Sequence, residues 1–185
     1  MINKAVFLDR DGVINRVVLR QGRPFPPASL KEFKFLPKVT QAIKALRSAG
    51  FKIIIVTNQP DVGAGIQSRA VVEAIHARIA GRIVPDGIKV CYHTAPDGCE
   101  CRKPKPGMLL EAAREWSINL KTSYLVGDRW RDIEAGQAAG CKTVLIKADY
   151  KEKKARNPDA VSASLFEASR WILSQAATNK RKNKK

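Results

Sequence analysis

Residues 5–15 read AVFLDRDGVIN, a short apolar run that breaks off at Asp9-Arg10-Asp11-Gly12. An apolar run bounded by a turn signal is the pattern of a strand buried on both faces. Asp9 and Asp11 are two positions apart, so a strand ending at Asp9 and a chain turning at Gly12 bring both carboxylates to one pocket. Outward from this point, runs of the same kind recur as IIIV at 53–56, KVCY at 89–92, SYLVG at 123–127 and KTVLI at 142–146. Helical character fills the intervals. Val39, Ala42, Ile43 and Leu46 fall at helical spacing ahead of a stop at Gly50, and a second helix opens at Ser68 to bury Val72, Ile75 and Ile79. Pro106 begins a third, with Leu109, Leu110 and Ala113; residues 132–139 make a fourth; Leu165, Ala168 and Ile172 line the last.

Alternating strand and helix predicts an α/β protein, a Rossmann-like three-layer sandwich with a central parallel sheet covered on both faces. The chain of 185 residues, 44% hydrophobic, suits one core. Residues 1–176 are expected to form a single domain and 177–185 a basic, disordered tail, because Lys180, Arg181, Lys182, Lys184 and Lys185 repel one another with no apolar anchor among them. The segment RQGRPFPPASLKEFKFLP at 20–37 reads as a Pro-rich connection over the surface. No run approaches the ~18 apolar residues of a membrane span, and the N-terminus turns charged too early for a signal peptide. A cytoplasmic protein is expected, and a monomer.

The excess of 34 Lys+Arg over 17 Asp+Glu, a formal charge of +17, favours anionic partners: phosphate esters, nucleic acid or acidic membrane surfaces. The basic tail reads as a solubilising end, with a nucleic-acid contact as the alternative; no aromatic residue is interleaved with it to stack on bases. Four cysteines are present, and Cys91, His93, Cys99 and Cys101 form C-x-H-x5-C-x-C, three thiolates and an imidazole. That is a complete tetrahedral set for a structural Zn²⁺, in a knuckle spanning 91–101. It immediately precedes Arg102 and Lys103, so fixing the knuckle fixes their loop. Cys141 reads as a small buried hydrophobe. His76, beside Ile75 on a helix, reads as a surface or packing residue without a catalytic role.

Ligands of open parallel sheets bind beyond the carboxyl ends of the strands. Three runs end there in polar chemistry: Asp9 and Asp11 after AVFL, Thr57 and Asn58 after IIIV, and Asp128 and Asp132 after YLVG. A carboxylate can attack a phosphoryl group only if a cation offsets the repulsion, and Mg²⁺, a hard ion, suits carboxylate oxygens, with Asp128 as a further ligand. Asp9 would attack phosphorus, while Asp11 protonates the leaving oxygen and later deprotonates water. Thr57, Asn58 and Lys103 are the candidate donors to the phosphoryl oxygens. Helix capping by Asp132 and a turn at Asn58 are the structural alternatives for those two residues.

FLDRDGVIN, VTNQ, CRKPKPGM and VGDRWRDIEAG resemble, in order, the four motifs of the haloacid-dehalogenase superfamily. Their wording is similar to the branch of D-glycero-D-manno-heptose bisphosphate phosphatases and histidinol-phosphate phosphatases. The resemblance spans residues 4 to about 146 and is specific because all four motifs occur in order. It implies a haloacid-dehalogenase-like fold without a large cap domain, Asp9 as nucleophile, Asp11 as acid and base, and Thr57 and Lys103 as phosphoryl stabilisers. It also implies Arg102 as a substrate-recognition residue and Mg²⁺ held by the Asp9 carboxylate, the backbone carbonyl of Asp11, and Asp128, with Asp132 orienting that set. The same Cys/His pattern occurs in this branch. Gln59, which ends VTNQ, is grouped with Arg102 and Arg129 as substrate-binding; Arg102, Arg129 and Arg20 are cations that could meet a second phosphate. One departure is PDVGAGI at 60–66, where many relatives carry an arginine.

The expected activity is Mg²⁺-dependent removal of the 7-phosphate from heptose 1,7-bisphosphate, with histidinol phosphate or another small sugar phosphate as the alternative substrate. A nucleic-acid terminal phosphatase and a zinc-containing nucleic-acid binder are the competing classes. The intact set of Asp9, Asp11, Lys103 and Asp128 argues against a mere binder.

Overall fold

A computed structural model describes residues 2–182. The five apolar runs become strands β1 (Lys4–Leu8), β4 (Phe51–Asn58), β5 (Gly87–Cys91), β6 (Tyr124–Gly127) and β7 (Lys142–Ile146). Three short strands were not legible: β2 (Val18–Arg20), β3 (Arg23–Phe25) and β8 (Ala160–Ser162). Helices α1 (Val39–Ser48), α3 (Arg69–Ile83), α4 (Gly107–Glu115), α5 (Trp130–Ala139) and α6 (Leu165–Lys182) fill the predicted intervals, and α2 (Pro60–Gly63) is a single added turn.

The main sheet runs β5-β4-β1-β6-β7-β8, and every pairing in it is parallel. Leu8 lies opposite Ile55 on one side and Val126 on the other. The strand ending at Asp9 is therefore flanked by the two strands that lead to Thr57 and Asp128. Strand periodicity divides the core. Val6, Leu8, Ile53, Ile55 and Val126 pack with Ala42, Ile43, Leu46, Ile75, Ile79, Ala168 and Ile172. Ala5, Phe7, Ile54, Val56 and Leu125 pack on the opposite face with Met108, Leu109, Ala112 and Ala135. Cys141 belongs to this second cluster, and burial pushes its thiol up to about 12, as befits a small hydrophobe. The edge strand β5 is only half-buried over most of its length, because nothing pairs beyond it.

The Pro-rich connection is not featureless: β2 and β3 pair antiparallel. Gln21 and Gly22 at their turn have φ of 53° and 80°, both left-handed, as a two-residue type I′ hairpin requires. No larger insertion interrupts the alternation, so a large cap domain is absent from the described residues. No helix among them is long and apolar enough to cross a membrane. The tail expected to be disordered from 177 instead continues α6 to Lys182, because a helix already anchored by Leu165, Ala168 and Ile172 propagates at little cost per added residue. The remainder of that tail lies outside the described residues.

Ile55 is fully buried in the central part of the sheet. Ile55→Ala is expected to destabilise the fold by about 2–5 kcal/mol, read as a shift in the denaturant midpoint.

Candidate active site

Asp9 begins the loop after β1, its amide donating to the Val126 carbonyl at 2.9 Å. Three turns of chain then bring the other predicted groups to it. The ammonium of Lys103 lies 2.6 Å from Asp9 Oδ1 and 2.5 Å from Asp132 Oδ1, and donates to the Val56 carbonyl at 2.8 Å. Lys103, Asp9 and Asp132 are all buried. Burial works to lower the Lys103 ammonium, yet Asp132 and Asp9 outweigh it and hold it above the ordinary lysine range. Asp9 is pushed up to about 7 by burial, against the opposing pull of Lys103.

Oxygens of Asp9, Asp128 and Asp132 come within 4.8 Å of one another. Burial, reinforced by Asp9 and Asp132, pushes the Asp128 carboxyl well above the usual carboxylate range. Its Oδ1 is buried with no hydrogen-bond partner. A buried carboxylate oxygen left unpaired, beside further acids and one ammonium, fits a hard divalent cation such as Mg²⁺. Gly12, at φ +90°, makes room for this acid: a Cβ there would fall 1.8 Å from Asp128 Oδ2.

Asp132 meets Lys103 and caps a helix. Oδ1 meets Lys103, and Oδ2 accepts from the Arg129 amide at 3.0 Å at the start of α5. Two other expectations need correction. Asn58 does not present its amide to a phosphoryl group: Nδ2 donates to the Lys103 carbonyl at 3.0 Å, and Oδ1 accepts from the Lys103 amide at 3.1 Å. The pair of bonds clamps the lysine loop to β4. Gln59 is buried outside the cavity wall, and its Nε2 donates to Asp11 Oδ2 and Thr57 Oγ1, both at 2.9 Å, so it orients two site residues rather than touching substrate. Thr57 Oγ1 thereby has its lone pair engaged and its hydroxyl hydrogen available to a ligand.

Sequence reasoning missed Arg10, the largest fully buried side chain. Its guanidinium forks onto Asp11, with Nη2 at 2.8 Å from Oδ2, while Asn15 Nδ2 reaches Asp11 Oδ1 at 2.8 Å. Nη1 faces His76 Nε2 at 3.2 Å. An arginine only donates, so His76 Nε2 accepts and the imidazole is neutral. A charged residue within a motif otherwise read for its acids gave no signal that it would turn inward.

Asp9, Asp11, Thr57, Asn58, Arg102, Lys103, Asp128 and Arg129 line a cavity of about 540 Å³, as do Arg23, Arg131, Lys151 and Lys153, which the sequence did not single out. Arg20 is not among the lining residues; it lies over the Phe25 ring at 5.3 Å, and Arg23, its cross-strand partner in the hairpin, lines the cavity instead. Arg129 is tied to Glu152, with Nε at 3.0 Å from Oε1 and a further bond from Nη2. Arg102 Nη1 donates to the His93 carbonyl at 3.0 Å. That carbonyl belongs to the Cys/His knuckle, whose ligand atoms also lie within 4.8 Å of one another. Its edges are 3.7 Å for Cys91–Cys99 and Cys91–His93, 3.5 Å for Cys99–Cys101 and 3.3 Å for His93–Cys101. Ligands about 2.0–2.3 Å from a tetrahedral ion stand roughly 3.4–3.8 Å apart, so the set has the dimensions of such a site.

Burial, helped by Arg10, pulls His76 down to about 4 from 6.5, against the opposing influence of Asp11 and Glu73. The unfolded chain therefore takes up this proton first, so the contribution of neutral His76 is fully present above pH 6.5 and is lost as pH falls toward about 4. His76→Gln is expected to flatten the fall of the denaturation midpoint across that window.

The family model for HAD-hydrolase-like proteins matches residues 100–168. The D-glycero-beta-D-manno-heptose-1,7-bisphosphate 7-phosphatase of Pseudomonas aeruginosa is 37% identical over 152 residues, covering 80% of this chain and 83% of that protein. The corresponding alpha-heptose enzyme of Photorhabdus laumondii is 33% identical over 183 residues, covering 91% and 96%. Among solved structures, D,D-heptose 1,7-bisphosphate phosphatase from Bordetella bronchiseptica, complexed with magnesium and phosphate, superposes with a TM-score of 0.79 at 31% identity, covering 93% of this chain and 99% of that one. With the motifs in order, the site assembled from them and identity at this level over most of its length, this chain belongs to the D-glycero-D-manno-heptose-1,7-bisphosphate 7-phosphatase family of haloacid-dehalogenase-type hydrolases.

Proposed function

We propose that this chain removes the 7-phosphate of D-glycero-D-manno-heptose 1,7-bisphosphate by way of an aspartyl-phosphate on Asp9. The observation that carries this reading is the buried cluster itself: an attacking carboxylate in contact with Lys103 and close to Asp128, whose Oδ1 is unpartnered. Asp9, Asp128 and the backbone carbonyl of Asp11 would hold Mg²⁺. The Asp11 carboxylate is already committed to Arg10, Asn15 and Gln59, which favours its carbonyl for that task. When bound, the ion supplies positive charge against the phosphoryl oxygens.

The Asp9 carboxylate attacks phosphorus as the bond to the sugar oxygen breaks, and Asp11, protonated once the incoming substrate takes the place of one of its donors, gives that oxygen its proton. Asp11 then takes a proton from water, whose oxygen attacks phosphorus, releasing inorganic phosphate and the free Asp9 carboxylate. Lys103 and the Thr57 hydroxyl stabilise the transferring group, and Asn58 keeps Lys103 in place. Arg23, Arg102 and Arg131 line the same cavity and provide the cations for the phosphate that remains, with Lys151 and Lys153 close by. A Zn²⁺ bound by Cys91, His93, Cys99 and Cys101 braces the loop that carries Arg102 and Lys103; the tetrahedral edge lengths support this reading.

Magnesium-dependent phosphate release should be fastest on heptose 1,7-bisphosphate in a panel with histidinol phosphate, other sugar phosphates and phosphorylated oligonucleotides. Equal, slow turnover of all of them would refute the assignment. Asp9→Asn should lower kcat by at least about 10³-fold with the fold intact by circular dichroism; a normal rate would exclude the covalent route. Metal analysis should find about one zinc per chain, and stripping it should weaken substrate binding. A zinc-free preparation of full activity would remove the knuckle from this scheme.

A further inference from the structure

The two oxygens of Asp128 have opposite fates. Oδ2 accepts from the Tyr150 hydroxyl at 2.6 Å and rests against Gly12, whereas Oδ1 has no partner. Tyr150 is 9% exposed, and it belongs to the strap that follows β7 rather than to any of the four motifs. The strap is held by the two residues that follow Tyr150. The Lys151 amide donates to the Gly22 carbonyl at 2.9 Å, tying it to the β2–β3 turn. Glu152 takes the guanidinium of Arg129. Arg129 is the chain neighbour of Asp128 and a cation that could itself satisfy Oδ1; its bonds to Glu152 leave that oxygen open.

We propose that Tyr150 is a positioning residue for the metal site: its hydroxyl fixes the Asp128 carboxylate by Oδ2, so that Oδ1 is presented, already desolvated and unpaired, as the ligand atom for Mg²⁺. This rests on the reading of Asp128 as a magnesium ligand. Groups that orient a metal ligand in this way commonly contribute 10- to 100-fold to metal affinity.

The test is Mg²⁺ binding to the full chain by calorimetry, without substrate, for the parent protein, Tyr150→Phe and Asp128→Asn. Tyr150→Phe keeps the ring and its packing. It is expected to weaken Mg²⁺ binding roughly 10-fold, to lower activity at limiting Mg²⁺ and to recover most of the parent kcat at saturating Mg²⁺. Its KM for substrate should be unchanged there. Asp128→Asn should abolish measurable binding. If Tyr150→Phe binds Mg²⁺ within twofold of the parent while Asp128→Asn does not bind, the positioning role is overturned and the magnesium reading stands. If Asp128→Asn binds like the parent, the magnesium reading fails and takes the proposal with it. An activity loss in Tyr150→Phe that high Mg²⁺ does not rescue would also overturn the proposal.

Discussion

The ammonium of Lys103 is the group on which the rest of the site depends. It lies against Asp9, Asp132 and the Val56 carbonyl, deep in the protein. Buried charges are tolerated only when paired, and removing one partner of such a pair costs on the order of 3–5 kcal/mol. Lys103 therefore binds together the ends of β1 and β4 and the start of α5, and separates two carboxylates that would otherwise repel. One ammonium does not balance Asp9, Asp128 and Asp132. Burial, reinforced by that surplus of negative charge, raises Asp9 and Asp128, and the cluster suits a further cation.

Holding one lysine in that place takes a loop with little regular structure. Asn58 grips its backbone from β4 on both the amide and the carbonyl. The Cys/His knuckle closes directly before it, with Cys91 at the end of β5 and Cys101 two residues short of Lys103. Arg102 adds a bond back to the knuckle at the His93 carbonyl. The knuckle thus adjoins residues 102 and 103 in the chain and holds Arg102 by one bond.

Without a large cap domain, the cavity takes its walls from segments that the sheet does not need. The β2–β3 hairpin brings Arg23, Pro24 and Phe25, and the strap after β7 brings Lys151, Glu152 and Lys153. One backbone bond, from the Lys151 amide to the Gly22 carbonyl, joins the two, and Gln67 Nε2 to the Pro27 carbonyl, at 3.4 Å, ties the loop before α3 to the same wall. Arg23, Arg102, Arg129, Arg131, Lys151 and Lys153 thereby stand around a cluster of acids, cations that draw in a phosphorylated ligand.

The sequence by itself determined the five long strands of the sheet, the order of helices, the acids at the strand ends and the Cys/His set. Each is written in local pattern: apolar runs, helical spacing, motif wording and ligand spacing. It could not show that β2, β3 and β8 exist, because three-residue strands are too short to carry a period. Nor could it decide the direction of polar side chains. Asn58 and Gln59 turn to brace Lys103, Asp11 and Thr57, Arg10 turns wholly inward, and Arg23 takes the place expected of Arg20. Tyr150 reaches Asp128 across 22 residues of chain. These outcomes depend on which donors and acceptors meet once the sheet has closed, and a buried polar group must find its partner wherever the fold, not the neighbouring sequence, has put it.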